Sequence, residues 1–184
     1  MARKPEARDR LIEAFQAILV DDGERAATLE AVAARAGVSK GGLLYHFSSR
    51  SELVGAMLER MRVLGAQDCR SMAESPEGAA RQFLRNSVWA GSEVDLAIVA
   101  VSRLAQGGEE SARVALHELK RAWYQLLLDD LGEPAVANAV LHMGDGLYYN
   151  ASIGWLPASH QESQQTLEQL LGVLERLRPE GRAG

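Results

Sequence analysis

Lys40, Gly41 and Gly42 stand side by side in the stretch GVSKGGLLYHF, which runs from Gly37 to Phe47 and ends on Tyr45, His46 and Phe47. A cation beside residues without side chains suits the close approach of a backbone to an anion. Unpaired N–H groups in the first turn of a helix can then meet phosphate oxygens. A lysine in that place can also donate to a guanine edge. Glycine costs about 1 kcal/mol relative to alanine inside a helix, less near its end. A plain tight connection between two helices explains the same residues. A nucleotide-binding phosphate loop does not, because no G-x-x-x-x-G-K-[ST] is present and "KGG" and "GGEE" are too short.

Other chemistries find little support. There is no G-x-S-x-G, no H-E-x-x-H and no pair of cysteines. His117, His142 and His160 lack metal-ligand spacing, so neither a metal nor a cofactor is expected. The rivals to DNA binding are an enzyme without a recognisable motif and a helical-bundle interaction adaptor. The one cysteine, Cys69, excludes an intramolecular disulfide and fits a reducing compartment. No apolar run reaches the ~18 residues of a membrane span, and "MARKPEARDR" lacks the apolar core of a signal peptide. A cytoplasmic location with no membrane partner follows as the expectation. The net charge is −5, unevenly spread. Residues 1–50 carry eight Lys/Arg against seven Asp/Glu, and the remainder twelve against eighteen. The basic residues gather at Arg3, Lys4, Arg8 and Arg10, then at Lys40 and Arg50. A solvated helix face explains such charges equally well.

The elements that must position these residues all read as helix. Leu11, Ile12, Phe15, Ile18 and Leu19 form one apolar face at helical spacing, ended by "DDG" at 21–23. Thr28 suits an N-cap to a short helix with Leu29, Val32, Ala33 and Ala36 on one side. Gly37 can close it in the left-handed conformation. Ser39 caps the next helix, with Val38 and Leu43 at the two positions of a hydrophobic staple. Ser49 and Glu52 make an S-x-x-E capping box for a fourth helix, at about 50–70. "SPEG" at 75–78 places Pro76 at the first position of a fifth helix after the cap Ser75, continuing to about Trp89. Further helices are expected at about 93–105, 109–131, 134–154 and 160–177. The fold class is all-α, with about nine helices.

Two short helices joined by a tight glycine-containing turn form the helix-turn-helix pattern, whose second helix enters the major groove. The segment TLEAVAARAGVSKGGLLYHFSSRSELVGAML, Thr28 to Leu58, resembles the DNA-binding domain of the TetR family of transcriptional repressors. The likeness rests on the opening Thr, the Ala-x-x-Ala-Gly-Val-Ser turn, the Lys-Gly-Gly start, the Leu-Tyr-His-Phe exit and the Ser-x-x-Glu-Leu cap. It implies an N-terminal helix-turn-helix domain at 1–50, helix four as a link, and a ligand-binding and dimerisation domain at 51–184.

The resemblance assigns DNA-facing roles to Thr28, Ser39, Lys40, Gly41, Gly42, Leu44, Tyr45, His46 and Arg50. Thr28 and the Tyr45 hydroxyl would meet phosphate, and Arg50 would hold the backbone from the other side. Leu43 and Phe47 belong to the core, and His46 has an equal reading as a half-buried helix-end histidine. One departure stands out. The family often has a basic or polar DNA-facing residue two positions after the opening Thr, and this chain has Glu30. Glu30 favours the helix dipole but repels phosphate. It either turns away from DNA or the contact is absent. Arg3, Lys4, Arg8 and Arg10 would then carry much of the salt-dependent affinity.

The C-terminal two-thirds is acidic and holds Trp89, Trp123 and Trp155. The resemblance makes the last two helices a four-helix interface in a homodimer. Recognition helices about 34 Å apart would then meet a palindromic double-stranded operator. Leu167, Leu170, Leu171, Leu174 and Leu177 form a stripe that fits that interface or packing within one chain. Effector-pocket candidates are Met57, Met61, Trp89, Trp123, Met143, Asp145 and Tyr148. "HMGDGLYYN" at 142–150 is similar to a segment of family members that sense cationic drugs and control efflux pumps, with Asp145 as the group to neutralise a cation. Gly144 and Gly146 equally suit close helix packing. A small-molecule effector would release DNA by favouring a conformation in which helix four moves.

Overall fold

The computed structural model describes residues 6–152, 155 and 160–178. These comprise nine α-helices and one 3-10 turn, with no strand among the described residues. The helices are α1 (Ala7–Asp21), α2 (Leu29–Ala36), α3 (Lys40–His46), α4 (Arg50–Ala73), α5 (Ala79–Asn86), α6 (Glu93–Gln106), α7 (Glu110–Leu131), α8 (Pro134–Ser152) and α9 (His160–Leu177). The 3-10 turn, Glu24–Ala26, precedes α2. No described helix is long and apolar enough to cross a membrane. No described cluster of three His, Cys, Asp or Glu could hold a metal.

The chain forms two compact units: Met1–Leu64 with Glu93–His117, and Gly65–Ser92 with Glu118–Gly184. In the first unit α1 packs on α2 and on α6. Its buried face is the expected one, with Leu11, Phe15 and Leu19 fully enclosed. Burying a leucine or phenylalanine side chain contributes about 1.5–3 kcal/mol, so these three residues supply much of the base on which α2 and α3 are mounted. Arg35 of α2 fastens that helix to the end of α1 by pairing with Asp21 at 2.5 Å and Asp22 at 3.5 Å.

In the second unit α5 packs on α8 and α9. Of the leucine stripe, Leu167, Leu171 and Leu174 are buried within the chain, whereas Leu177 is exposed and Leu170 half-buried. Gly144 lets α8 approach α5, since a β-carbon there would stand 2.5 Å from two atoms of the Phe83 ring and 2.7 Å from Ser87 Oγ. Gly146, by contrast, faces open space.

The start of α5 corrects the reading of "SPEG". Pro76 is not the first helical residue; it lies in a turn in which Ser75 Oγ accepts from the Glu77 N–H at 3.3 Å. The helix begins three residues later, after Gly78 at φ +87°. Its cap comes from α7, where the Asp130 carboxylate accepts the Ala80 N–H at 2.8 Å. A partner 50 residues away outweighs the local Ser-Pro signal.

Candidate nucleic-acid interface

The turn between α2 and α3 is built by local caps. Thr28 Oγ1 accepts from the Ala31 N–H at 3.2 Å, and Ser39 Oγ accepts from the Gly42 N–H at 3.0 Å. Such caps contribute about 1 kcal/mol each. Gly37 takes φ +67°, and the Val38 N–H reaches back to the Ala33 carbonyl at 3.0 Å. That left-handed residue reverses the chain within two positions, so α3 starts immediately. Downstream, Ser49 Oγ accepts from the Glu52 N–H at 3.3 Å, and the Glu52 carboxylate accepts from Ser48 rather than Ser49, at 2.8 Å.

One side of α3 is anchored and the other is bare. Leu43 and Phe47 are buried. Ser39, Lys40, Gly41, Leu44 and Tyr45 are exposed, Tyr45 at 84% of its surface. Gly42 and His46 are half-buried, and His46 meets the Tyr45 ring edge-on at 5.2 Å. The two glycines differ in what the fold asks of them. A β-carbon on Gly42 would press on Ser39 Oγ at 3.3 Å, whereas one on Gly41 would make an ordinary 3.9 Å contact. Glycine at 42 therefore protects the cap, and nothing within the chain requires it at 41.

The charges around α3 are partly spoken for. Lys40 Nζ donates to Glu30 Oε1 at 2.6 Å. That hydrogen bond, with the lysine's charge, holds the Glu30 carboxyl below its ordinary range. Arg50 donates from Nη2 to Glu24 Oε1 at 2.5 Å, in a half-buried pair. The Arg8 guanidinium lies 5.2 Å from the centre of the Phe47 ring, an attraction of about 0.5–1 kcal/mol. Arg10 keeps a buried Nε. Arg3 and Lys4 lie outside the described residues.

The expected effector residues fall into separate groups. Met57 and Met61 are fully buried in the first unit; the other five belong to the second. There Trp123 and Tyr148 come together, their rings near-parallel with centroids 6.4 Å apart, and Phe83 meets Trp123 edge-on at 5.6 Å. Trp123 donates from Nε1 to Asp68 Oδ2 at 2.8 Å, Asn86 donates to Asp68 Oδ1 at 2.7 Å, and the Tyr148 hydroxyl donates to the Asn86 carbonyl at 3.4 Å. Asp145 is instead engaged by Lys120 Nζ at 2.8 Å, with His142 at 3.5 Å. Met143 is half-buried. Trp89 lines a different feature, an open cavity of about 620 Å³ shared with Arg85, Val88, Ala90, Ser163, Gln164 and Leu167. Asp68, Lys120 and Glu24 did not emerge from sequence. Asp68 finds its partners 18 and 55 positions away, and no local spacing signals that.

Two family models match the chain. Residues 11–57 match the bacterial regulatory proteins of the tetR family, and residues 77–175, more than half of the chain, match the Tetracyclin repressor-like C-terminal domain. The chain belongs to the TetR family. That family is one of bacterial regulatory proteins.

Among curated relatives, this TetR-family chain is 46% identical over 57 residues to the HTH-type transcriptional activator FasR of Mycolicibacterium smegmatis. It is 38% identical over 63 residues to the HTH-type transcriptional regulator TtgW of Pseudomonas putida. The matched segments cover 31% and 32% of this chain but only 26% of FasR and 47% of TtgW. Among solved structures, a TetR-family regulator from Rhodococcus sp. superposes with a TM-score of 0.73 at 22% identity, covering 95% of this chain and all of that one. The multidrug binding protein EbrR, complexed with malachite green, superposes with a TM-score of 0.68 at 23% identity, covering 95% of this chain and 99% of EbrR. At those identities the likeness is one of fold.

Proposed function

We propose that this TetR-family regulator is a cytoplasmic, non-enzymatic repressor that binds a palindromic operator as a homodimer and releases it when a small effector binds. The observation that carries the DNA reading is the split character of α3: Leu43 and Phe47 buried, and Lys40, Gly41, Leu44 and Tyr45 left bare on the outside. Thr28, Ser39, Gly42, His46 and Arg50 flank that surface as phosphate contacts or supports. The division at about residue 50 into DNA-binding and sensing domains is part of the same reading, with α4 as the link.

The dimer reading is supported by what α8 and α9 leave uncovered. With Leu167, Leu171 and Leu174 used inside the chain, Leu170, Val173 and Leu177 remain partly open on α9, and Tyr149 is exposed on α8. The effector is a small, largely apolar molecule, and a positive charge on it would suit the carboxylate nearby. Support comes from the stacked Trp123 and Tyr148 beside Asp68 and from the fold shared with EbrR, which has been crystallised with malachite green and with ethidium. FasR is called an activator, so the sign of regulation needs its own measurement.

A gel-shift assay on DNA flanking the gene, with Lys40→Ala as control, tests the reading. A sequence-dependent shift at low salt, lost in the variant, is expected. No shift at low salt would leave an adaptor or an enzyme as the better account. A reporter fused to the same DNA reads the sign of regulation directly.

A further inference from the structure

Glu30 and Lys40 sit on different helices, ten positions apart, yet their side chains meet at 2.6 Å. Lys40 keeps 61% and Glu30 63% of its side-chain surface exposed. An exposed ion pair adds little to folding stability, so stability gives no reason for the contact. Its position does: Glu30 is in the first turn of α2, and Lys40 opens α3.

A lysine alone is a point charge on a flexible stem, and on DNA it meets phosphates as readily as bases. A carboxylate at its tip changes both options. It repels phosphate, and it can accept from the amino group of cytosine. In the major groove a G·C pair presents two adjacent acceptors, guanine N7 and O6, followed by the N4 amino donor of cytosine. An ammonium bridging N7 and O6, with its carboxylate partner on N4, uses all three groups. On an A·T pair the amino group lies between the two acceptors, so the ammonium reaches only one.

We propose that Glu30 is the specificity-determining partner of Lys40, the two side chains reading one G·C pair in each half of the operator while the carboxylate holds the lysine off the phosphates. The proposal rests on the reading of α3 as the DNA-reading helix, and it resolves Glu30, which stands where the family often carries a basic or polar residue. Lys40 also keeps Glu30 ionised to lower pH than an isolated glutamate, so the pair outlasts mild acidification.

The test is selection of binding sites from randomised duplex DNA by the full chain and by E30Q, E30D and K40A, followed by fluorescence-anisotropy titrations of the selected site and of random DNA at several salt concentrations. The wild-type site is expected to hold a G·C pair in each half. E30Q should lose that preference by about fivefold or more, or shift it to A·T, because glutamine pairs with adenine. E30Q should also bind random DNA more tightly, with a salt slope steeper by about 0.9 for each lysine freed to meet phosphate. E30D should retain part of the preference. If E30Q keeps the wild-type preference and salt slope while K40A loses both, Lys40 reads alone and the proposal fails, although α3 still reads DNA. If the wild-type chain selects no sequence at all, the proposal and the DNA reading fail together.

Discussion

Gly107 lies against Glu24 so closely that a β-carbon at position 107 would stand 2.8 Å from Glu24 Cγ and 2.9 Å from Cδ. Glu24 in turn holds Arg50 through its Oε1. The residue that follows α6 therefore leaves the space taken by the side chain that holds the first residue of α4, all within one unit of the chain.

Gly107→Ala should displace Glu24 and loosen its grip on Arg50, lowering stability by about 1 kcal/mol. The same substitution in a Glu24→Ala background should cost almost nothing, because the obstructed side chain is gone. Urea denaturation of the four proteins of this double-mutant cycle gives the coupling. Equal costs in both backgrounds would show that the crowding is relieved elsewhere.

Gly41→Ala should separate fold from function. Nothing in the chain opposes a β-carbon there, and replacing glycine in a compatible conformation typically adds about 0.4–1 kcal/mol. The melting temperature should hold or rise while operator affinity falls at least several-fold. A variant that binds as tightly as the parent would mean that DNA never comes that close to this turn.

Gly144→Ala should damage the second unit. The Phe83 ring is buried and stands where the new methyl must go, so about 1–3 kcal/mol of overpacking is expected. Trp123, in edge contact with that ring, should report it as a change in fluorescence at a lowered melting temperature.

Cys69 should be a poor nucleophile. Burial, helped by the adjacent Asp68 charge, pushes its thiol from about 9 up to about 11. Two units leave roughly a hundredfold less thiolate at pH 8 than an unperturbed thiol has, and alkylation with iodoacetamide should slow in proportion. The native state favours the protonated thiol. Its contribution to stability is therefore complete below pH 9 and is lost as the pH rises from 9 towards 11. Alkylation at the rate of the denatured chain would contradict this.

What the sequence made legible is what local chemistry decides. Thr28, Gly37, Ser39 and Ser49 act on backbone groups within five residues, so the helix-turn-helix and its bare face could be read from residue types and spacing. The long helices follow from periodicity alone. The start of the fifth helix escapes that local code because its cap, Asp130, belongs to another helix. Asp145 looked available for a cation until Lys120, 25 residues earlier, reached it. Glu24 and Asp68 act through partners 26 and up to 55 positions away, a separation that leaves no periodic trace.

The Asp130 carboxylate also sets an order of events. It caps α5 through Ala80 and pairs with Arg178 just beyond α9. An eight-residue helix with no cap of its own is unstable in isolation, so α5 forms only once α7 has docked. Its amide protons should exchange with solvent at the rate of the whole second unit, and Asp130→Ala should speed that exchange in α5 before the other helices respond. The helix that touches both α8 and α9 thus depends for its start on a carboxylate supplied by a third helix.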